Sequence, residues 1–393
     1  MKSNYKKFGD YIRLVDERNK DDRVTRLLGV SIEKKFIESI ANTVGTDMSV
    51  YKIVRKGQFA YGPVTSRNGD KVSIALLQEE ECIISSSYTV FEIIDTTKLL
   101  PEYLNLWFKR PEFDRYARFH SHGSAREIFD WDEMCNVELP IPELDEQKKI
   151  VEAYSIIEKR IEIKRQINDN LYATIQTLQK SWLEEYIPFN GEKPNDWILT
   201  KFSDIAEFTT GYSYSSDELI SSNTAMLTIK NFDRIFGFRI DGYKEIIPQK
   251  KVKPEQYASK FDVIVAHTDL TQGAIIGNAE CVLTASNYNK IIFSMDLVKV
   301  TPKANGISKF LILSLLQNKK FKDHCLKHIN GTTVMHLSKK ALPDYSLYLP
   351  ADYSVFKVLN EELERLYILI SNNLEEIIKL QELKSYLLSV LSR

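Results

Sequence analysis

The chain has 393 residues, 53 basic and 54 acidic side chains, a net charge of −1 and a hydrophobic fraction of 43%. This length suits two or three domains with proper cores, and no run of about 18 apolar residues predicts a membrane span. The balanced charge gives no support to nucleic-acid binding by bulk phosphate neutralisation, so a local patch or a basic partner would have to supply those contacts.

The first residues and the cysteines both bear on the compartment. Residues 1–22, MKSNYKKFGDYIRLVDERNKDD, carry too many charges for a secretory signal peptide. The cysteines are widely scattered and form no CxxC pair, which favours free thiols in a reducing compartment. We therefore expect a cytoplasmic protein. The four cysteines are Cys82, Cys135, Cys281 and Cys325.

The first part of the chain combines predicted strands with a helical segment. Short runs rich in Ile, Val and Tyr predict strands. Residues 100–120 predict helix, because apolar residues recur every three or four positions and Pro101 lies near the start. The predicted strands here are KIVRKGQFAY, KVSIALL and CIISSSYTVFEII.

A long amphipathic helix is predicted after Pro142. No Gly or Pro occurs between Pro142 and Pro188, and charged residues fill the face opposite the apolar stripe. A stripe this narrow favours a helical partner. The apolar positions are Ile150, Tyr154, Ile157, Ile161, Ile167, Leu171, Ile175, Leu178 and Trp182.

The second half of the chain follows the same order. VIVAH and KIIFSMDLVKV predict strands, residues 307–329 predict helix, and a second long helix without Gly or Pro follows Pro350. Its apolar positions are Leu363, Leu366, Ile370, Leu374, Ile377, Leu380, Leu383, Leu387 and Leu391.

Similar segments recur at separations that change in small steps, which indicates an internal repeat. Residues 8–12 and 202–206 are 194 positions apart, and Pro142 and Pro350 are 208 apart. Two diverged copies with a few loop insertions would give this pattern, whereas chance similarity would scatter the separations. Between those ends, the separations are 199 for residues 27–32 and 226–231, 204 for 57–61 and 261–265, and 206 for 89–94 and 295–300.

The two long helices have two possible partners. Each helix could pack on its own globular part, but the narrow stripes favour pairing of the helices with each other. A helix of about 40 residues is roughly 60 Å long, so such a pair would hold two globular parts well apart.

This order of segments resembles the specificity subunit of type I restriction-modification systems, over essentially the whole chain. The resemblance rests on IPELDEQKKI at 141–150, on KPNDWILTKFSDIAEF at 193–208 and on GTTVMHLSKKALPDYSLYLP at 331–350. No single motif is highly specific, but their order is. Two departures leave the domain edges open: the first copy lacks the Trp-containing opening, and ADYSVFKVL stands where the first copy has LDEQKKIV.

The resemblance implies an α+β fold with two similar mixed α/β target recognition domains, related by a pseudo-two-fold internal repeat. The two long helices would form an antiparallel coiled coil that separates these domains and sets the distance between two DNA half-sites. Two adenine methyltransferase subunits and restriction subunits would join the chain on double-stranded DNA. The chain would be non-catalytic, without a cofactor, and S-adenosylmethionine, ATP and magnesium would bind its partners. The implied domains are 1–142, 143–187, 188–350 and 351–393.

Four polar segments could read DNA, because direct readout needs polar or basic side chains on a loop or helix that enters the major groove. They are residues 65–71, 120–127, 267–273 and 329–336, and they fall at matching places in the repeat. An ordinary solvated turn is the alternative, since Asn68-Gly69 is a hairpin signal by itself. We predict base contacts from Arg67, Asn68, Arg126, Gln272, Thr333 and His336, phosphate or loop-ordering contacts from Lys71, Ser124 and Thr332, and further contacts from His267 and Thr271.

Other chemistry finds little support in the sequence. No GxG or Pro-Pro occurs, as a methyltransferase would need, and no P-loop is present. Glu146-Gln147-Lys148 mimics part of a nuclease motif but opens a helix, where acidic residues favour the helix dipole. His324 and His328 are one helical turn apart, and His120 and His122 are two positions apart, but no third metal ligand is evident.

Two other functions remain open at this point. A coiled-coil adaptor or scaffold that binds proteins and not DNA fits the near-neutral charge slightly better. A specificity subunit of a fused nuclease-methyltransferase system would have the same sequence features.

Overall fold

The computed structural model describes residues 5–39, 45–66, 68–69, 71–123, 126–269, 275–331 and 334–391. It divides into two compact units: unit 1 comprises Met1–Arg160 and Leu380–Arg393, and unit 2 comprises Ile161–Lys379. Each unit therefore contains one globular part together with segments of both long helices. The domain edges expected at residues 142, 187 and 350 stay predictions.

Unit 1 is built around a four-stranded antiparallel sheet in the order β2-β9-β6-β7. Smaller ribbons pair β1 with β10, β3 with β4 and β5 with β8. The strands of the first half are β1 Tyr5–Lys7, β2 Ile12–Val15, β3 Leu28–Val30, β4 Phe36–Glu38, β5 Lys52–Arg55, β6 Phe59–Tyr61, β7 Ile74–Leu76, β8 Glu81–Ile84, β9 Thr89–Ile93 and β10 Glu138–Pro140. The helices are α1 Pro101–Phe108, α2 Pro111–Phe119, α3 Trp131–Asn136 and α4 Leu144–Leu183.

The core of unit 1 is rich in aromatic rings. Phe59 of β6 lies opposite Phe91 of β9, and their stacked rings are 5.0 Å apart. Phe108 and Phe113, from α1 and α2, have ring centroids 4.7 Å apart in the same cluster. Such cross-strand and helix–sheet pairs stabilise a sheet more than strand propensity does, so this core fixes α1 and α2 against the sheet.

Unit 2 contains a sheet of the same design, in the order β12-β20-β16-β18, and all of its pairs are antiparallel. A second four-stranded sheet, β14-β13-β19-β15, a ribbon of β11 and β23, and the small sheet β17-β22-β21 complete it. The strands are β11 Ile198–Lys201, β12 Ala206–Thr210, β13 Thr224–Leu227, β14 Lys244–Glu245, β15 Tyr257–Ala258, β16 Val263–Ala266, β17 Thr268–Asp269, β18 Ala279–Cys281, β19 Lys290–Phe293, β20 Leu297–Pro302, β21 Ile329–Asn330, β22 Met335–Leu337 and β23 Ser346–Leu349. The helices are α5 Phe202–Ile205, α6 Lys309–Leu316, α7 Lys319–Leu326, α8 Ala341–Asp344 and α9 Lys357–Val390.

The same backbone hydrogen bonds recur in both units, which confirms the internal repeat. Gly57 and Phe261, 204 positions apart, both have a left-handed backbone, with φ of 87° and 66°. Their N–H groups donate to matching carbonyls at the end of the neighbouring strand. The matched bonds are Gly57 N–H to Leu77 O and Phe261 N–H to Val282 O, Phe8 N–H to Val137 O and Phe202 N–H to Tyr345 O, and Phe113 N–H to Arg110 O and Phe321 N–H to Asn318 O.

One predicted alignment within the repeat is wrong. We expected residues 89–94 to match 295–300, 206 positions later. The N–H of Ile94 donates to Tyr11 O, whereas the equivalent bond in unit 2 runs from Lys303 to Ile205 O, so the separation at this strand is 209. The likeness of TVFEII at 89–94 to MDLVKV at 295–300, which suggested a separation of 206, is therefore a chance similarity between two short apolar segments.

The two long helices run antiparallel within each unit. In unit 2, Lys164 Nζ lies 2.9 Å from Glu376 Oε2, and Asn373 Nδ2 donates to Asn168 Oδ1 over 2.8 Å. In unit 1, Lys384 Nζ lies 3.2 Å from Glu158 Oε1. Both expected kinds of packing occur, because α4, α9 and Leu391, which directly follows α9, also contribute buried side chains to the cores of the units. The buried side chains from the two helices include Tyr154, Ile175, Leu363, Tyr367 and Ile370.

Buried polar side chains lie between the paired helices. Asn168 and Asn373 are at most 9% exposed, and each amide has a partner in the opposite helix. A buried Asn pair favours the one register that satisfies both amides. None of the helices within the described ranges is both long and apolar enough to span a bilayer.

Candidate nucleic-acid interface

The backbone brings the polar segments of unit 1 together through two antiparallel β-bridges. Val64 and His122 lie on either side of Ile128, and His122 and Ile128 exchange hydrogen bonds of 3.0 and 2.9 Å. Next to them, the N–H of Thr65 donates to Glu127 O over 2.9 Å. The start of segment 65–71 and both ends of segment 120–127 are thus neighbours in space.

Unit 2 repeats this arrangement. Thr268 lies opposite His336, and Asn330 lies opposite His336 on the other side. Asp269 pairs with Met335, at the place that Thr65 and Glu127 occupy in unit 1. The four polar segments therefore form two matching pairs, one in each unit.

A glycine makes each turn possible. Gly123 has a φ of 132°, and Gly331 has a φ of 97°, both in the region that side chains rarely adopt. A Cβ atom would lie 2.1 Å from Arg126 O in the first case and 2.3 Å from Val334 O in the second. This close backbone approach is the physical reason for a glycine at positions 123 and 331.

Two predicted contact residues lie on the turn that follows Thr65. The N–H of Asn68 donates to Thr65 O over 2.9 Å, and its Nδ2 lies 3.4 Å from Val64 O. Lys71 is exposed and forms an ion pair with Glu33, with 2.7 Å between Nζ and Oε1. Of these two predicted contact residues, Asn68 thus has a half-buried amide and Lys71 has a solvated ammonium group.

The other described candidates lie beside the paired strands. Arg126 is exposed, and its guanidinium has no ion-pair partner within the described ranges. His336 is also exposed, and its Nδ1 lies 3.2 Å from Thr268 Oγ1. His267 is half-buried: burial lowers its pKa, repulsion from His336 and Lys339 lowers it further, and Asp296 opposes both effects. A neutral imidazole offers one donor and one acceptor, which suits a base edge.

The remaining predicted residues lie outside the described residues. They are Arg67, Ser124, Thr271, Gln272, Thr332 and Thr333.

The sequence did not show that one residue in each of two polar segments is buried. Thr65 and Asp269 are 2% and 0% exposed and occupy equivalent positions in the two units. Both lie within segments that we predicted as polar loops. Composition gives no signal that separates a buried anchor from an exposed contact residue.

The residues considered for other chemistry have structural partners. Nε2 of His324 lies 2.8 Å from Ala341 O, and Nδ1 of His328 lies 2.8 Å from His324 O. Gln147 is fully buried: its Oε1 accepts from the N–H of Leu100, and its Nε2 donates to Lys98 O. Across the ranges that the structure describes, no group of three or more His, Cys, Asp or Glu side chains could hold a metal ion.

Comparison with known proteins gives a consistent result. The family model for the type I restriction modification DNA specificity domain matches residues 40–173. The specificity subunit of type I restriction enzyme MjaIX from Methanocaldococcus jannaschii is 22% identical over 309 residues, which cover 75% of this chain and 69% of that protein. The HindI specificity subunit from Haemophilus influenzae is 20% identical over 330 residues, or 81% of this chain and 66% of that protein.

A solved structure shares the fold. The type I restriction-modification S subunit from M. genitalium has a TM-score of 0.59 and 13% identity to this chain, and the match covers 99% of this chain and 96% of that one. Together with the duplicated plan of paired polar segments, these similarities confirm the resemblance of this chain to the specificity subunits of type I restriction-modification systems.

Proposed function

We propose that this chain recognises DNA sequence for a type I restriction-modification complex, and that each unit reads one half of a bipartite target. The observation that carries this proposal is the pair of polar segments in each unit, joined by the same backbone hydrogen bonds. At matching positions the side chains differ, as with exposed Arg126 in unit 1 and Val334 in unit 2. Different side chains select different bases, so one architecture can read two unlike half-sites.

The catalytic steps belong to the partners in this proposal. Two adenine methyltransferase subunits would methylate N6 of adenine, restriction subunits would cut, and S-adenosylmethionine, ATP and magnesium would bind these subunits. The internal repeat supports two similar docking surfaces for two identical partners. A chain with a net charge of −1 would also depend on basic partner surfaces for much of its phosphate binding.

Single-molecule methylation sequencing tests the proposal. The chain is expressed with a partner adenine methyltransferase subunit, and the matched control expresses the methyltransferase alone. We expect N6-methyladenine at a split motif with two short specific halves, and only when this chain is present. A complex that methylates such a motif but also cuts on both sides of it would indicate the fused nuclease-methyltransferase system instead.

An adaptor that does not bind DNA would give a different outcome. Methylation would then be absent, or identical with and without this chain, and the four polar segments would be ordinary turns. Either result would overturn the proposed function.

A further inference from the structure

A buried hydroxyl in unit 1 joins the paired polar segments to a helix. Thr65 Oγ1 lies 2.9 Å from Ser121 Oγ and 3.2 Å from Glu127 O. Ser121 in turn donates to Ala117 O, in α2, over 2.6 Å. Because Thr65 is 2% exposed, loss of its hydroxyl would break this buried link, although Ser121 Oγ would still donate to Ala117 O and Glu127 O would still accept from the N–H of Thr65.

A carboxylate occupies the equivalent position in unit 2. Asp269 is fully buried, and its Oδ2 accepts a hydrogen bond of 2.9 Å from the N–H of Ile275. This bond links the two residues that flank positions 270–274. Lys322 lies close enough for its charge to interact with Asp269.

In each unit, a lysine ammonium group hydrogen-bonds the backbone just after a polar segment, which is 65–71 in unit 1 and 267–273 in unit 2. In unit 1, Lys34 Nζ donates to Val72 O and to Asp114. In unit 2, Lys322 Nζ donates to Ile276 O over 2.6 Å and to Asn278 Oδ1 over 2.7 Å.

The two ammonium groups come from different parts of the chain. Lys34 lies in the loop between β3 and β4, whereas Lys322 lies in α7, at the repeat position that Asp114 holds in α2. Each ammonium group nevertheless donates a hydrogen bond to the equivalent backbone carbonyl after the polar segment, Val72 O in unit 1 and Ile276 O in unit 2. The two copies therefore hold the segment by the same backbone atom with different side chains.

Stability alone does not explain these buried polar groups. Well-packed apolar residues of similar volume stabilise a core as well as a buried ion pair does, or better. A hydrogen-bonded polar group differs because it favours one backbone arrangement over its neighbours. Where such a group lies beneath a segment that contacts DNA, the preferred backbone arrangement decides which edge of a base pair the contact residues reach.

We propose that Thr65 and Asp269 are positioning residues, each of which fixes the contact residues of its own unit and thereby the bases accepted at one half-site. The inference rests on the proposed function. In unit 1 the contact residues held in place are Asn68, Lys71 and Arg126, and in unit 2 they are His267 and His336.

The test measures base discrimination at each half-site separately. The complex of this chain with its methyltransferase is given a pool of duplexes in which each position of the split motif is varied in turn. Thr65→Val is expected to lower discrimination about tenfold at one half-site only, and Asp269→Ala about tenfold at the other half-site only. Thr65→Ser retains the hydroxyl and should discriminate as well as the unmodified complex does.

Asp269→Asn is the second variant for unit 2. It keeps an oxygen that can accept from the N–H of Ile275, although it loses the charge and replaces the other oxygen by an amide donor. It should therefore retain most of the discrimination and should fold even where Asp269→Ala does not. Amide hydrogen exchange at Ile275 gives a readout independent of DNA, and Asp269→Ala should accelerate it.

Two results would overturn the inference. In folded Thr65→Val and Asp269→Ala, discrimination could be unchanged, or the methylation rate could decrease by the same factor for every duplex in the pool. The second result would show a purely structural role. Failure of the proposed function is distinguishable, because the unmodified complex would then methylate no split motif.

Discussion

In unit 1 the ammonium group at the end of the polar segment belongs to Lys34, in a loop between two strands, and it donates to the carboxylate of Asp114. In unit 2 it belongs to Lys322, in a helix, and it donates to the amide oxygen of Asn278. The same carbonyl position accepts both. In β7 of unit 1 Ala75 lies opposite Ala60, whereas at the matching place in β18 Glu280 lies opposite Ile264. The repeat thus retains backbone hydrogen bonds and exchanges side chains, so the two copies can diverge in what they bind without a change of fold.

The largest difference should appear when the two ammonium groups are removed. Lys34 and Asp114 have side chains only 6% and 13% exposed, so Lys34→Met leaves a buried charge unpaired and should destabilise unit 1 by about 3–5 kcal/mol. Lys322→Met removes hydrogen bonds to a carbonyl and an amide, together with the charge interaction with Asp269, and should cost unit 2 about 1–3 kcal/mol. Urea unfolding combined with amide hydrogen exchange in each unit measures both losses.

The matched control removes the unpaired charge as well. Lys34→Met combined with Asp114→Leu leaves no buried ion and should recover part of the stability that Lys34→Met loses. Equal losses in the two single variants would contradict the comparison.

Glu280 should give unit 2 a pH dependence that Ala75 cannot give unit 1. Burial raises the pKa of Glu280 from its ordinary value of 4.5 to about 8, although the N–H of Gly237 donates to its Oε1 and lowers it. A carboxyl with a raised pKa keeps its proton in the folded state while the unfolded chain ionises. Stability should therefore fall as the pH rises from about 4.5 to about 8 and level off above that.

Glu280→Gln isolates this effect, because glutamine is a neutral isostere of the protonated acid. At pH 7 the variant should exceed the unmodified protein by at most about 3 kcal/mol in the free energy of unfolding of unit 2. Near pH 4 the difference should vanish. A variant that is less stable at pH 7 would show that the ionised carboxylate is the stabilising form.

Arg126 and Val334 allow a side chain of one unit to be tested against that of the other. Arg126→Val gives unit 1 the residue that unit 2 has there, and it should weaken recognition of one half-site by about 1–3 kcal/mol if the guanidinium makes a bidentate base contact. Stability should change by less than about 0.5 kcal/mol, since the side chain is exposed. Methylation of duplexes altered in one half-site measures the effect, and Val334→Ala is the control. An unchanged methylation pattern would remove Arg126 from the interface.

The sequence predicted the parts of the fold that depend on periodicity. The separations of 194, 199 and 204 positions recur in backbone bonds, for example in the parallel bridges from Leu27 to Ile83 and from Met226 to Ile292. It also predicted both long helices, since a stripe of apolar residues over ten turns has no other explanation. It placed residues 89–94 wrongly, because a likeness between two segments of six residues does not locate a short insertion.

The candidate site was predictable as a set of segments and not residue by residue. Polar composition and matching places in the repeat located all four segments. Burial of Thr65 and Asp269 depends on which strand passes beneath them, and neighbouring sequence does not specify that. Lys34 and Lys322 occupy different repeat positions, so even an exact alignment of the copies would not have linked them.

The smallest expected effect on stability is at Lys71, whose repeat position in unit 2 holds buried Ile275. The ion pair of Lys71 with Glu33 is solvated, with 47% and 69% of the two side chains exposed, so Lys71→Ala should change the free energy of unfolding by less than about 0.5 kcal/mol. A phosphate contact would nevertheless show in DNA binding. The slope of log affinity against log salt should become shallower by about 0.9, equally for cognate and altered duplexes, because one fewer counterion is released. Titrations of the complex at several salt concentrations measure this slope, and Glu33→Ala, which frees Lys71, is the matched control. A loss confined to the cognate duplex would instead assign Lys71 to a base edge.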